Sequence, residues 1–190
     1  MAKSPLDLGI LSLIRRNHGL EHATLNLLSK KVPDGSFSGH SDRKGFWVVG
    51  DVSTDLLLAT SQEALARMKK GERALAVHPN CGTNFVTAGV LAGSLAWLGT
   101  LGTANNFKKK LDRLPWLILL ITGALIVAQP LGPKVQEKVT TSGAPGRLVV
   151  KQIIRYERPG PVLHRVLTGE SSTDTAPVEE ESALVLEEAV

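Results

Sequence analysis

The residues of this chain suited to chemistry fall in two short stretches. The first, "RRNHGLEHATL", sets His18, Glu21 and His22 within five residues. On a helix, His18 and His22 stand one turn apart on one face, with Glu21 beside both. Two imidazoles so placed bind a divalent ion while the carboxylate polarises a bound water, the chemistry of H-x-x-E-H zinc sites. The second stretch, "VHPNCGTN", sets His78 and Cys81 three residues apart across a Pro79–Gly82 turn. That spacing on a tight turn is typical of metal ligands. A helix starting there, capped by Thr83 or Asn84, would also favour the thiolate of Cys81.

The expected metal ligands are therefore His18, His22, His78 and Cys81, with zinc as the expected ion and Glu21 as the expected general base or ring-orienting partner. Three protein ligands with an open fourth position describe a metal-dependent hydrolase; four close a tetrahedral structural site with no place for substrate. Four soft or borderline ligands fill a zinc site, which favours the closed form with Glu21 orienting a histidine. A third reading has no metal, the two motifs serving as caps and core contacts of a membrane scaffold or assembly factor. His40 reads as a solvated loop residue and His164 as a bystander near the tail.

The elements that position these groups are partly legible. Ser4, Pro5 and Asp7 supply a cap, a first-turn proline and an early acid for a helix over 6–28, closed by Lys30 and Lys31. Its first half, "LGILSLI", is apolar on nearly every face and either packs inside the protein or dips into a membrane interface. A turn-rich connection, "VPDGSFSGHSDRKG", leads to a strand in "FWVVGDV". A helix over 54–70 offers Leu57, Leu58, Ala64, Leu65 and Met68 to one face and stops at Gly71. "RALAV" reads as a second strand, giving a small strand–helix–strand unit, and "RLVVKQIIRY" as a later strand able to join it.

Two uncharged apolar runs, 85–101 and 114–131, approach the length that crosses a bilayer as a helix. The expected fold class is thus an α+β membrane protein: a two-helix transmembrane hairpin, a small strand–helix–strand unit and an N-terminal amphipathic helix. Its segments are 1–84, a hairpin over 85–131, a return strand within 132–167 and a disordered acidic tail over 168–190. Gly89 and Gly93 form a G-x-x-x-G pair that permits close helix approach or self-association. No removable signal peptide is read, and one cysteine excludes an intrachain disulfide.

Charge is unevenly spread. From Glu170 onward there are seven acidic residues and no Lys or Arg, so the rest of the chain sets 22 Lys and Arg against 11 Asp and Glu, a formal +11. No aromatic-studded basic stripe or nucleic-acid motif accompanies this charge, so the expected partner is the lipid bilayer and its anionic headgroups, not nucleic acid. Six basic residues flank the hairpin base (Arg67, Lys69, Lys70, Arg73, Lys134, Lys138) against four at its tip. The soluble unit is therefore expected on the cytoplasmic side.

Taken together, "HGLEHATL", "GFWVVGD", "HPNCGTN" and the apolar hairpin resemble an uncharacterised bacterial membrane-protein family, a domain of unknown function. A second unassigned bacterial membrane family has a similar pairing of H-G-x-E-H with H-P-x-C-G-T. The resemblance covers residues 17–141 and implies a membrane protein with a recurring histidine and cysteine constellation, without supplying an activity. Similarity to the inverted-motif zinc peptidases rests on H-x-x-E-H alone. Those enzymes are large and soluble and use a distant acidic ligand, and this chain shows neither feature.

Overall fold

Helix α1 (Gly9–Lys31) runs without a proline and ends on Lys30 and Lys31, cations that suit its terminal carbonyls. From Asn17 to Leu28 it is largely buried, with Leu20, Ala23, Leu27 and Leu28 turned into the core, whereas Ile10 and Leu11 in its first turn are exposed. A computed structural model describes residues 9–102, 107–157, 159–171 and 184–189, so the expected cap at Ser4, Pro5 and Asp7 lies outside the described residues. The chain divides into two units, Met1–His78 with Val139–Val190, and Pro79–Lys138.

In the first unit, α1 and helix α2 (Thr54–Lys69) pack with a sheet of order β1-β2-β4-β3-β5. Its strands are β1 (Ser38–Asp42), β2 (Gly45–Val49), β3 (Leu148–Glu157), β4 (Leu163–Glu170) and β5 (Leu184–Ala189). The first four are antiparallel, and β5 runs parallel to β3. Phe46, Val48, Ile153 and Val166 from the sheet meet Leu20, Leu28, Leu57 and Met68 from the helices, all buried in one core. Burying each such side chain contributes roughly 1.5–3 kcal/mol. Ser53 caps α2 by accepting the Leu56 N–H (3.3 Å), and Gly71, at φ 100°, ends it as expected.

Three sequence expectations need correction. "RALAV" is not a strand but a 3-10 turn, Arg73–Ala76. Alanine has little preference for strands, and side chains of α1 take the carbonyls of residues 75–77. The turn-rich connection contains β1, whose "SGHSD" has no apolar residue to reveal it. A two-residue reversal joins it to β2, with Asp42 Oδ1 accepting the Lys44 N–H at 2.7 Å. The strand–helix–strand unit is accordingly a β-hairpin and helix completed by β3 and β4. The expected acidic tail overlaps the end of β4 and β5; residues 172–183 lie outside the described ones.

His164 is the residue most misjudged from sequence. It is fully buried on β4, its Nε2 paired with Thr54 Oγ1 at 3.2 Å, opposite Arg155 in the β3–β4 register. Burial first, and the Arg155 charge second, push its pKa down to about 4. The folded state thus keeps His164 neutral where the unfolded chain would protonate it. The stability this contributes is present above the unfolded value near 6.5 and is lost as pH falls toward 4. On the order of 3 kcal/mol is at stake across that window. Thermal unfolding followed from pH 7 to 4 should show this loss in the wild type and a flatter profile in His164→Gln. Parallel profiles would contradict the assignment.

The second unit is a pair of antiparallel helices, α3 (Gly82–Thr100) and α4 (Phe107–Val135). Near the start of α3, Asn84 Oδ1 accepts from Gln136 Nε2 (2.6 Å) and Gly132 lies close against Asn84. At its other end, Arg113 donates to the Gly99 and Leu101 carbonyls and Gly99 makes room for Leu117. The close approaches therefore use Gly99 and Gly132, while Gly89 and Gly93 have nothing near their Cα hydrogens. No side chain of α3 is buried, and Phe85, Val90 and Trp97 stand exposed. Of the two expected spans, one is met among the described residues: the helical segment Phe107–Thr140 is long and apolar enough to cross a bilayer. Helix α3 falls short because nine of its nineteen residues are Gly, Thr, Ser or Asn.

Candidate metal centre

The centre begins with how α1 is held. Gly19, between the two histidines, sits so close to neighbouring segments that an added Cβ would lie 2.3 Å from the Ser142 carbonyl oxygen and 3.3 Å from Ala76 Cβ. The missing side chain lets α1 approach the 3-10 turn and the 140–142 segment together. Ser142 N–H then donates to the Arg15 carbonyl at 2.9 Å. On the sheet side, Asn17 Nδ2 donates to the Asp42 carbonyl (2.8 Å), and Thr168 Oγ1 donates to Asn17 Oδ1 (2.7 Å). The helix is fixed in rotation as well as position.

Both histidines are then oriented by backbone oxygen. His18 Nδ1 pairs with the Thr140 carbonyl at 3.0 Å and His22 Nδ1 with the Ala76 carbonyl at 2.9 Å. A carbonyl only accepts, so each ring donates from Nδ1, which leaves Nε2 as the nitrogen able to ligate. These acceptors come from irregular backbone. Thr140 closes a π-helical turn, Gln136–Thr140, and Ala76 ends the 3-10 turn, both places where helical carbonyls lack a backbone partner. Asn26 Nδ2 takes the carbonyls on either side of Ala76, Leu75 at 3.0 Å and Val77 at 2.9 Å.

The His18 and His22 rings meet edge to face with centroids 4.3 Å apart. His18, His22 and Cys81 lie close enough to hold a metal ion, one ligand atom from each falling within 4.8 Å of the others. Bonds of about 2.0 Å to nitrogen and 2.3 Å to sulfur set donors of a tetrahedral site roughly 3–4 Å apart. His78 is not among the three; its ring centroid is 5.6 Å from that of His22. Burial, and then the neighbouring His18, hold His78 below its ordinary pKa.

Cys81 is buried and itself caps α3, its Sγ accepting the Thr83 N–H at 3.5 Å. This corrects the expected cap at Thr83 or Asn84. Asn84 instead donates to the Pro79 carbonyl (2.6 Å) and accepts from Gln136. Glu21 is only 3% exposed, and its carboxylate presses on Gly39 of β1, where an added Cβ would stand 2.5 Å from Oε1. His40 is exposed, as expected, though on a strand.

Sequence reasoning misses Gly19, Asn26 and the two carbonyl acceptors. The glycine inside H-G-x-E-H is the available signal, since a glycine within a helix implies a close approach.

The model of the DUF6391 family, a domain of unknown function, matches residues 13–153. An uncharacterised protein of the cyanobacterium Picosynechococcus sp. is 36% identical over 158 residues, covering 75% of this chain and 72% of that protein. No solved structure matches. The chain belongs to the DUF6391 family, a domain of unknown function.

Proposed function

We propose that this protein is a zinc-binding membrane protein whose ion is held by His18, His22 and Cys81, with His78 as fourth ligand. The observation that carries the reading is the pair of Nδ1-to-carbonyl hydrogen bonds on His18 and His22. Ligating histidines characteristically anchor the second ring nitrogen this way, which fixes the tautomer and raises ligand basicity. Simple packing does not require both rings to tie the same nitrogen to a backbone carbonyl.

Glu21, buried against Gly39, acts in this reading by positioning the histidine face of α1. A second reading, a hydrolase with water in the fourth position and Glu21 as general base, draws on His78 standing outside the close group. Zinc stoichiometry after dialysis against a weak chelator separates the two. The closed site expects His78→Ala to lose the ion and Glu21→Gln to weaken retention by about 10–100-fold. Full retention in both variants would overturn it and leave the hydrolase, in which the base contributes about 10²–10⁴-fold to turnover alone.

The membrane part of the reading rests on α4 and on the exposed apolar side chains of both helices of the second unit. Helix α4 crosses the bilayer with α3 beside it in hydrocarbon, and the sheet unit faces the cytoplasm on the six-to-four balance of basic residues. Labelling an introduced Lys109→Cys only from the cytoplasmic face would reverse that orientation.

A further inference from the structure

A cleft of about 550 Å³ opens in the first unit, lined by Asn26, Lys30, Glu72, Arg73, Ala74 and Leu75 with Gly71 at its edge. We propose that it binds the phosphate of an anionic phospholipid, an inference that rests on the membrane reading above. The size suits a headgroup with its glycerol.

The charges in the cleft are arranged for an anion. Glu72, the one acid there, is already engaged: Arg67 Nε and Nη2 reach its carboxylate at 3.0 and 2.6 Å. Lys30 and Arg73 are exposed, and although the Lys30 charge helps hold the Glu72 carboxyl low, neither forms an ion pair among the described residues. The carbonyls at the end of α1 explain a lysine at position 30, and Arg73 opens the 3-10 turn that follows α2. Lys69 and Lys70, exposed at the end of α2, add to the same field.

The wall is built rather than loose. Asn26 ties the Leu75 and Val77 carbonyls to α1. Gly143 packs so closely on Arg73 that an added Cβ would stand 2.7 Å from its Cβ and 3.0 Å from its Cα. Beside the two cations, Ala74 and Leu75 offer apolar surface for a glycerol backbone, which a free phosphate would not use. In sequence, the apolar helices begin at Gly82, nine residues after Arg73.

The test uses the full chain purified in a neutral detergent, with thermal unfolding followed against added phosphatidylglycerol, phosphatidylcholine or glycerol 1-phosphate. Phosphatidylglycerol should stabilise the wild type and a tip control, Lys109→Gln with Lys110→Gln; phosphatidylcholine should not. In Lys30→Gln with Arg73→Gln, about 30-fold more phosphatidylglycerol should be needed, since each cation near a lipid phosphate accounts for about a fivefold change. Circular dichroism of this surface variant checks that it is folded. Equal lipid dependence in the double variant and the wild type would overturn the proposal. Saturation by glycerol 1-phosphate at equal concentration would do so too, in favour of a soluble phosphate ligand. Alkaline extraction of membranes scores the membrane reading separately: a chain that washes off, yet binds glycerol 1-phosphate through Lys30 and Arg73, ends that reading and the lipid assignment while keeping the anion site.

Discussion

Replacing His22 with alanine should abolish metal retention and leave a protein whose stability no longer responds to chelator. The variant removes one of the three donors that lie together. It also strips the Ala76 carbonyl of its donor inside the protein, a loss of about 1–3 kcal/mol for a buried acceptor. A bound ion stabilises by more than this: a ligand present at a thousand times its Kd favours the folded state by about 4 kcal/mol. Wild-type melting should therefore fall steeply when EDTA is added, and His22→Ala should melt low with or without it. A chelator effect of equal size in both proteins would place the ion elsewhere.

The second large effect comes from a single methyl group. Gly19 lies within α1, where propensity alone favours alanine by about 1 kcal/mol. The added Cβ would meet the Ser142 carbonyl oxygen at 2.3 Å, a backbone atom that cannot turn aside. Overpacking of this kind costs about 1–3 kcal/mol, and it acts between the two rings whose carbonyl partners flank the contact. Gly19→Ala should thus be destabilised overall and lose metal although every ligand remains. Gly89→Ala, with nothing within 4 Å, is the matched control and should gain slightly from helix propensity. Metal analysis of both variants, with their melting temperatures, checks the sign; a stabilised, metal-loaded Gly19→Ala would show that α1 does not need its close approach.

What can be seen in the sequence follows the strength of the local signal. The helices α1 and α2, the strand β2 and the strand β3 carry apolar residues at regular spacing, and each lies where expected. The strand β1 is invisible because its five residues are polar and mostly exposed, held by pairing to β2 and not by their own pattern. The 3-10 turn imitates a strand in composition, and only the side chains of Asn26 and His22, about fifty residues away, explain why it bends. His164 misleads for a similar reason: its neighbours in sequence are loop and tail, while its neighbours in space are Thr54 and Arg155. At the site, residue types and spacing bring out His18, His22 and Cys81. The oxygens that orient the rings are backbone atoms and leave no trace in residue identity. The apolar content of α3 suggests a second span, and its glycines and threonines, counted against length, lower it below one.

X-ray absorption at the zinc edge of the purified, zinc-loaded protein tests the metal centre most directly. One sulfur scatterer near about 2.3 Å and imidazole nitrogens near about 2.0 Å are expected, with the sulfur contribution absent in Cys81→Ser and the imidazole contribution reduced in His18→Ala. A protein that takes up no stoichiometric metal, or an ion surrounded only by oxygen, would contradict the assignment of the ion to these residues.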